Sequence, residues 1–445
     1  TYHARVNNRF LLANLAFPEL TVRETALSDV HEVVPGEYHV ISHGKIEHHL
    51  CWSPKDIVEG EEIADFDTAA GMLRQSVQDC VAAWASRYTH IIHSLSGGFD
   101  SAATLACLHK AEAATPRCLN YRTEASDGDE SAFARITAGH FGAELVEIKM
   151  PGTPDFTSLL LNAALTASPG GDIFGSSTRQ RERDIAVAHK TEVFLSGEGG
   201  DHLFYQMTTD LVAADYARAR GLTPRLFAMA LDTAIWTGQP YTAVLGTILK
   251  FGLFHKAWQP SAPNWNTLPF LQADAIRANT LCDTDHPWLQ DITDLPPGKA
   301  WQIYLLPKVL HRHETSPRSE VADIIHPLLS QPLVELVLKI PSYVLTRGGE
   351  SRALAKAAFV HDLPKEILGR KTKGGTTSHF ARMAHDNLAF IRSFLLDGLL
   401  TQKDFMDVTG LENYLRQTSL QTSETIPNIF KLLATEAWLR AWENR

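Results

Sequence analysis

Four short strand-like segments occur between residues 90 and 196 of this 445-residue chain, and helix-like segments separate them. The strand-like runs are 90–95, 117–122, 144–149 and 192–195, and the helical patterns are 101–111, 129–141 and 154–167. Strands that alternate with helices form parallel βαβ units, whose ligand sites lie beyond the carboxyl ends of the strands. The pattern therefore predicts an α/β fold with a parallel, Rossmann-like sheet and a binding site at that edge.

The regions on either side of this alternation have different patterns. Residues 1 to about 60 are predicted to form short extended segments, with a hairpin-like turn at Ser42-His43-Gly44. Beyond a linker rich in Pro, Gly and acidic residues, helices are predicted at 68–86, 211–219, 224–236, 241–255, 301–311 and 333–339. Strand signals fade after about residue 205. We therefore predict a partial, β-rich N-terminal domain over 1–62 and a second domain over 63–445 whose C-terminal half is largely helical.

The most informative motif lies between the first predicted strand and the next helix, and reads Ser96-Gly97-Gly98-Phe99-Asp100-Ser101. Glycines allow a tight turn, and amide groups at the start of a helix together with the two serine hydroxyls can cradle phosphates. A carboxylate would be out of place in a pure anion site, but Asp100 fits if Mg²⁺ links it to the same phosphates. The alternative is a structural glycine-rich turn.

A second glycine-rich segment follows the last predicted strand and reads Ser196-Gly197-Glu198-Gly199-Gly200-Asp201. Its two carboxylates are three residues apart in a turn and can face one point. One could be a second metal ligand and the other a partner for charge in a transition state. Alone, the segment could equally be an acidic loop or a helix N-cap, so the prediction depends on its partnership with the first loop.

These loops resemble those of a known family. The loop at 96–101 resembles the pyrophosphate loop of ATP pyrophosphatase-type enzymes, and the loop at 196–201 resembles its counterpart in the asparagine synthetase branch. A third resemblance, in order and spacing, is to the segment that forms the nucleotide and substrate clefts of these synthetases, and it includes 326–336, 340–341, 348–349, 354–355 and 363–367. The resemblance covers roughly residues 70–390 and implies a sheet of the adenine nucleotide alpha-hydrolase type, with ATP and Mg²⁺ as cofactors.

The resemblance also implies the residues of the site. The metal would be held by Asp100 and Asp201, and the nucleotide by Leu95, Ser96, Gly97, Gly98, Phe99, Asp100, Ser101, Ser196 and Gly197. The stretch 370–375 resembles the family's catalytic lysine segment, in which a lysine neutralises charge on phosphate and oxyanion. Its register favours Lys373 over Lys371, and the alternative is a solvated basic loop. Glu198 is a second candidate for stabilising charge.

This sequence departs from the family pattern before Pro327. Ungapped alignment places Asp323 at a position that usually carries Glu and Ile325 at one that usually carries Arg, and Glu314 replaces an aspartate. Asp323 or Glu314 could help to deprotonate an attacking amine. These changes, together with His202 after Asp201, argue against free aspartate as the substrate.

The N-terminal region resembles the end of a glutaminase-like domain, through Val34-Pro35-Gly36 and Cys51-Trp52-Ser53-Pro54. The catalytic cysteine of such a domain stands at the mature N-terminus, but here position 1 is Thr1 and no cysteine precedes Cys51. Ammonia derived from glutamine is therefore not expected. The amine would instead belong to the substrate itself.

Two groups of the family use an amine from within the substrate, the β-lactam synthetases and the lasso peptide macrolactam synthetases. The segments 372–377 and 329–332 are most similar to the latter. This implies adenylation of an Asp or Glu side chain in a precursor core peptide and attack by the peptide's N-terminal amine. The expected partners are that peptide, a leader-peptide-binding protein and a leader peptidase. The alternatives are an asparagine or β-lactam synthetase for a small amino acid, an inactive peptide-binding scaffold, and a tRNA-modifying pyrophosphatase.

Composition narrows the other possibilities. The formal net charge of −10, from 41 Lys and Arg against 51 Asp and Glu, argues against nucleic-acid or anionic-membrane binding. No apolar run is long enough for a membrane span, and the five cysteines form no CxxC pair, so no zinc or redox motif is visible. Cys107 and Cys118 have apolar neighbours, as reduced thiols of a core do, so a reducing cytoplasm is expected. The His48-His49 pair has no carboxylate or cysteine partner at metal-ligand spacing in the sequence.

Overall fold

The computed structural model describes residues 5–17, 20–111, 116–122, 129–150, 155–260, 268–272, 274–275, 281–310, 316–370, 374, 377–417 and 425–443. Two sheets occur in these residues. An antiparallel hairpin is formed by β1 (Glu37–Ser42) and β2 (Lys45–Leu50). A parallel sheet has the order β5-β4-β3-β6-β7, and its strands are β3 (Ile91–Ser94), β4 (Arg117–Arg122), β5 (Leu145–Lys149), β6 (Val193–Ser196) and β7 (Asp323–Ile325).

Helices cover both faces of the parallel sheet and make up most of the C-terminal half. The longest is Phe66–Ala85, whose N-cap Asp65 accepts a hydrogen bond from the Thr68 amide at 2.9 Å. The other α-helices are Asn8–Ala16, Pro54–Val58, Phe99–Lys110, Ser131–Phe141, Phe156–Leu161, Ser176–Ala188, Gly200–Leu203, Leu211–Arg220, Pro224–Thr237, Tyr241–Thr247, Pro297–Leu310, Gln331–Lys339, Ser342–Leu345, Ala353–Ala358, Lys365–Leu368, Thr377–Asp386, Leu388–Leu396, Leu399–Gln402, Val408–Gln417 and Thr425–Glu443.

The predicted fold class is confirmed: a parallel sheet with flanking helices, a largely helical C-terminal half and a small antiparallel sheet near the N-terminus. The hairpin turn is also where the sequence places it, because His43 and Gly44 both have positive φ. Some elements differ from the prediction. The helix Asn8–Ala16 replaces an extended segment, the helix Ser176–Ala188 was not predicted, and β7 adds a fifth strand in a region without a strand signal.

The order of the strands creates a crevice at one place in the sheet. From β3 the chain moves outward on one side to β4 and β5, and then returns to the other side of β3 as β6. Beyond the carboxyl ends of β3 and β6 the connections therefore diverge to opposite sides, which is where ligands bind in sheets of this type. Both glycine-rich loops begin at this point, since Ser94 and Ser196 are paired neighbours.

In the part of the chain that the structure describes, the buried residues form two large apolar cores and two smaller clusters. One large core joins the long helix Phe66–Ala85 to the sheet and to the helices that follow β6. In the other, Phe10 and Leu11 pack with Leu433 and Trp438 from the last helix. Residues from both ends of the chain therefore contribute to one core. The predicted boundary at residue 62 stays a prediction.

Among the described residues, no helix combines the length and the apolar character that crossing a bilayer requires.

Candidate functional site

The first loop joins β3 to the helix Phe99–Lys110, whose N-cap is Gly98. No side chain caps this helix, so its first amide groups point toward the crevice without an internal acceptor. Ser96 Oγ accepts a hydrogen bond from the Gly98 amide at 3.2 Å and lies 3.1 Å from Ser101 Oγ. The loop therefore offers main-chain donors and two ordered hydroxyl groups, a combination that suits an anion.

The second loop follows β6 and packs directly against the first. A Cβ atom on Gly197 would lie 2.5 Å from the Ser101 nitrogen, and one on Gly200 would lie 2.6 Å from Asp100 Oδ1. Only glycine permits this approach at either position. The structure thus brings Asp100, Ser101, Gly197 and Gly200 together at the tips of neighbouring strands.

Asp100 and Asp201 converge on the guanidinium group of Arg352. Arg352 donates to Asp100 through Nε at 3.0 Å and through Nη2 at 2.6 Å, and the same Nη2 donates to Asp201. Its Nη1 donates to Gln206 Oε1. Arg352 is buried and has a φ of +57°, so its backbone adopts a conformation unusual for a residue with a side chain. The two carboxylates therefore face one position that already attracts a cation.

His93 supports the two loops from inside the sheet. It is fully buried on β3, and its Nε2 donates to the Ser101 carbonyl at 2.9 Å. Burial lowers the pKa of His93 to about 4, so the imidazole is neutral at physiological pH. The donated proton fixes its tautomer and links the strand to the start of the helix.

A second ion pair ties the C-terminal half to the first loop. Arg370 donates through Nη1 to the Gly97 carbonyl at 2.9 Å and through Nη2 to the Glu130 carboxylate. The Gly374 amide also donates to Glu130, and the Arg370 guanidinium lies 4.3 Å from the centre of the Phe133 ring. Two residues of the basic stretch, Arg370 and Gly374, are therefore anchored beside the loop. Its two predicted catalytic lysines, Lys371 and Lys373, lie outside the described residues.

The structure does not bring Asp323 into this site. Asp323 begins β7 and pairs with Val193 at the amino end of β6, and its carboxylate accepts a hydrogen bond from the Tyr88 hydroxyl at 2.8 Å. The loops lie at the opposite, carboxyl edge of the sheet. The expectation that Asp323 deprotonates an amine is therefore corrected. The other candidate, Glu314, lies outside the described residues.

His326, the first residue after β7, lies at the carboxyl edge instead. Its Nδ1 is 2.8 Å from Ser196 Oγ, and the same hydroxyl accepts a hydrogen bond from the Glu198 amide at 3.1 Å. The third strand tip thus contributes an imidazole to the second loop. The expectation for Asp323 was wrong because β7 was not predicted. A strand at 323–325 places Asp323 at its amino end and His326 beyond its carboxyl end.

Comparison with known proteins shows to which family the chain belongs. Residues 72–440 match the family described as Asparagine synthase. The chain belongs to the asparagine synthase family. Members of this family are ATP-dependent amide ligases, and this asparagine synthase family chain is therefore an ATP-dependent enzyme that forms amide bonds.

Comparisons with individual proteins add little to this asparagine synthase family assignment. No curated protein matches the chain. Among solved structures, it is similar to NMN synthetase from Francisella tularensis at 14% identity, over 60% of this chain and 96% of that one, with a TM-score of 0.23.

Sequence reasoning missed Arg352, the residue that joins the two predicted metal ligands in this asparagine synthase family member. It lies between Gly348-Gly349 and Leu354-Ala355, which resemble family segments, but nothing near it in the sequence marks it as a partner of Asp100. The signal that could have found it is chemical. Two shielded carboxylates that face one point require a compensating cation. An arginine within a segment that resembles the family could supply that positive charge.

Proposed function

We propose that this chain is a lasso peptide macrolactam synthetase. It would use ATP to activate an Asp or Glu side chain of a precursor core peptide and would join it to the peptide's own N-terminal amine. The proposed use of ATP is supported by the direct contact between the two glycine-rich loops, with Asp100 and Asp201 around one cationic position. The peptide substrate is supported by sequence resemblance in the segments 329–332 and 372–377.

The first loop is proposed to bind the triphosphate of ATP. The uncapped start of the helix Phe99–Lys110 supplies amide donors, and Ser96 and Ser101 supply hydroxyl groups on the same side. Ser196 and Gly197 would border the nucleotide from the second loop. The substrate's carboxylate oxygen would attack the α-phosphorus, pyrophosphate would leave, and an acyl-adenylate would result.

Asp100 and Asp201 are proposed to hold Mg²⁺. Oxygen donors from two carboxylates suit this ion, and the shared guanidinium group of Arg352 shows that a positive charge is compatible with the position between them. When bound, the ion would neutralise charge on the departing pyrophosphate. Arg352 would then release one carboxylate to the ion or share the position with it.

The second step is amide formation. The N-terminal amine would attack the activated carbonyl, and AMP would leave as the proton of the amine passes to a base. Lys373 or Lys371 is proposed to stabilise negative charge in this step, because their neighbours Arg370 and Gly374 are anchored at Glu130 beside the first loop. Glu198 is proposed as a second contact to the reacting groups, and Glu314 as a candidate base.

The placement of the segment most similar to lasso peptide synthetases supports the proposed substrate. Leu329 packs against the second loop, where a Cβ atom on Gly199 would lie 2.7 Å from Leu329 Cγ. The segment 329–332 therefore borders the proposed reaction centre. A precursor held there in a folded conformation would gain from proximity, which can lower a barrier by roughly 7–11 kcal/mol. A leader-peptide-binding protein and a leader peptidase are the proposed partners.

The test uses purified enzyme, Mg-ATP and a panel of leader-free peptides. Each peptide has a free N-terminal amine and one Asp or Glu at a different position, and matched peptides carry Asn or Gln there. We expect AMP and a product lighter by one water for at least one acidic peptide, and none for its amide counterpart. An N-acetylated version should also give no cyclic product, because it lacks the attacking amine.

Free aspartate with ammonia is assayed in parallel. Asparagine formation in this reaction, with no cyclic product from any peptide, would replace the proposal with the small-amino-acid alternative. ADP in place of AMP would contradict adenylation itself.

A further inference from the structure

The β1–β2 hairpin places three potential metal ligands on one face. His39 and His48 are directly paired across the two strands, so their side chains are neighbours, and Glu37 precedes His39 by two residues on the same face. One donor atom from each of the three residues lies within 4.8 Å of the others. The cross-strand pairing supplies the carboxylate partner that spacing along the sequence alone does not show.

The distances between these atoms are those of ligands around a small ion. His39 Nε2 lies 3.3 Å from Glu37 Oε2 and 2.9 Å from His48 Nδ1. Ligand atoms about 2.0–2.1 Å from a tetrahedral zinc ion are about 3.3 Å apart. The three side chains therefore need little rearrangement to share one ion.

Proton counting also favours an ion at this point. A neutral imidazole nitrogen is either a donor or an acceptor, so His39 Nε2 has at most one proton to offer to Glu37 and His48 together. If His39 instead accepts a proton from His48, its lone pair faces the Glu37 carboxylate. A metal ion would satisfy all three lone pairs at once.

The surroundings are partly buried and already organised. The Glu37 side chain is 1% exposed and that of His39 is 11% exposed, whereas His48 is exposed. Arg23 donates to both carboxylate oxygens of Glu37, through Nε to Oε2 at 3.0 Å and through Nη2 to Oε1. Arg23 thus fixes the carboxylate orientation as an outer partner, a common feature of metal sites.

We propose that Glu37, His39 and His48 form a binding site for a divalent transition-metal ion of the zinc class. Two imidazoles and one carboxylate are a donor set that zinc accepts, and solvent at His48 leaves a fourth position for water. The site is separate from the two loops and does not depend on the proposed function. Its role is structural: it ties β1 to β2 in an exposed two-stranded hairpin, an element that is marginally stable alone.

The experiment measures zinc binding to the full chain after removal of metal with a chelator. Zinc is added in competition with a chromophoric chelator, and cobalt absorption reports the ligand field. We expect one zinc site in the wild type that His39→Ala and His48→Ala each weaken at least about tenfold. Zinc should also raise the melting temperature of the wild type more than that of either variant.

His49→Ala is the matched control. His49 is the next residue on the same strand, with its side chain on the opposite face against Tyr38, and it should leave zinc affinity unchanged. Because His48 is exposed, its substitution should not prevent folding, which circular dichroism will check. Equal zinc affinity in the wild type, His39→Ala and His48→Ala would overturn the proposal, as would the absence of stoichiometric binding.

Discussion

Asp100 and Asp201 are far apart in sequence, yet both carboxylates form ion pairs with the guanidinium group of Arg352. All three side chains are at least partly buried, so each charge depends on the others for compensation. Arg352 holds the two carboxylates in position, and it would compete with the proposed metal ion for them.

Replacement of Arg352 by Ala should therefore destabilise the protein by about 3 kcal/mol, since it leaves buried carboxylates without a partner. Mg²⁺ should restore more stability to this variant than to the wild type, because the ion would take the place of the guanidinium group. Urea unfolding with and without Mg²⁺ measures both effects. If Mg²⁺ stabilises the two proteins equally, Asp100 and Asp201 do not share a metal.

His93 makes stability depend on pH. Burial lowers its pKa from 6.5 to about 4 in the folded protein, so between these values the unfolded chain binds more protons. Stability should therefore fall as pH decreases through this range, by about 2 kcal/mol between pH 7 and pH 5 from this residue. Asp215 acts in the opposite direction, because burial raises its pKa to about 6.

Comparison of the wild type with His93→Gln separates the two contributions. Urea unfolding at pH 7 and pH 5 should show a smaller loss of stability on acidification in the variant, whereas the contribution of Asp215 remains in both. An identical difference between the two pH values in both proteins would show that His93 is not responsible.

At the scale of elements, the contact between the two loops depends on the short helix Gly200–Leu203. Alanine favours helices more than glycine does, so propensity alone predicts that Gly200→Ala is stabilising. The structure predicts the reverse, because the added Cβ would lie 2.6 Å from Asp100 Oδ1 and would force the loops apart. A helical glycine with open surroundings provides the comparison. Gly246, in Tyr241–Thr247, has no neighbour within 4 Å of such a Cβ.

We expect Gly200→Ala to lower the rate of ATP-dependent amide formation at least about tenfold, because the carboxylates no longer converge. Gly246→Ala should leave this rate unchanged and raise stability by up to about 1 kcal/mol. Steady-state kinetics and urea unfolding of both variants measure the contrast. Similar kinetics for both would mean that the close approach at Gly200 is not needed for activity.

At the scale of the whole molecule, the sequence predicts β3, β4, β5 and β6 of the parallel sheet because each of these strands has a local strand pattern. The same pattern predicts the positions of the two glycine-rich loops, since each directly follows a predicted strand. The strand β7 has only three residues, Asp323–Ile325, and its position depends on pairing with β6 rather than on any local signal. The second core is equally non-local, because Phe10 and Trp438 meet only in three dimensions.

The link between the two halves of the molecule has the same non-local origin. Glu130 precedes the helix Ser131–Phe141 near the sheet, but its partners Arg370 and Gly374 come from the C-terminal half. Its carboxylate is well shielded, so its charge matters more than that of a surface acid. This residue therefore holds the basic stretch beside the first loop.

Substitution of Glu130 by Gln should weaken this link and lower the rate of amide formation at least about tenfold, with a stability loss of about 1–3 kcal/mol. Exchange of pyrophosphate into ATP should decrease less, because the basic stretch is proposed to act mainly after adenylation.

The surface pair Arg135–Glu147 offers a control of the same chemistry, and Glu147→Gln should change neither rate. If Glu130→Gln lowers amide formation and pyrophosphate exchange by the same factor, the link affects overall stability and not the second step in particular. We expect the second step to lose more, because Glu130 also holds Gly374, the residue that follows the proposed catalytic Lys373.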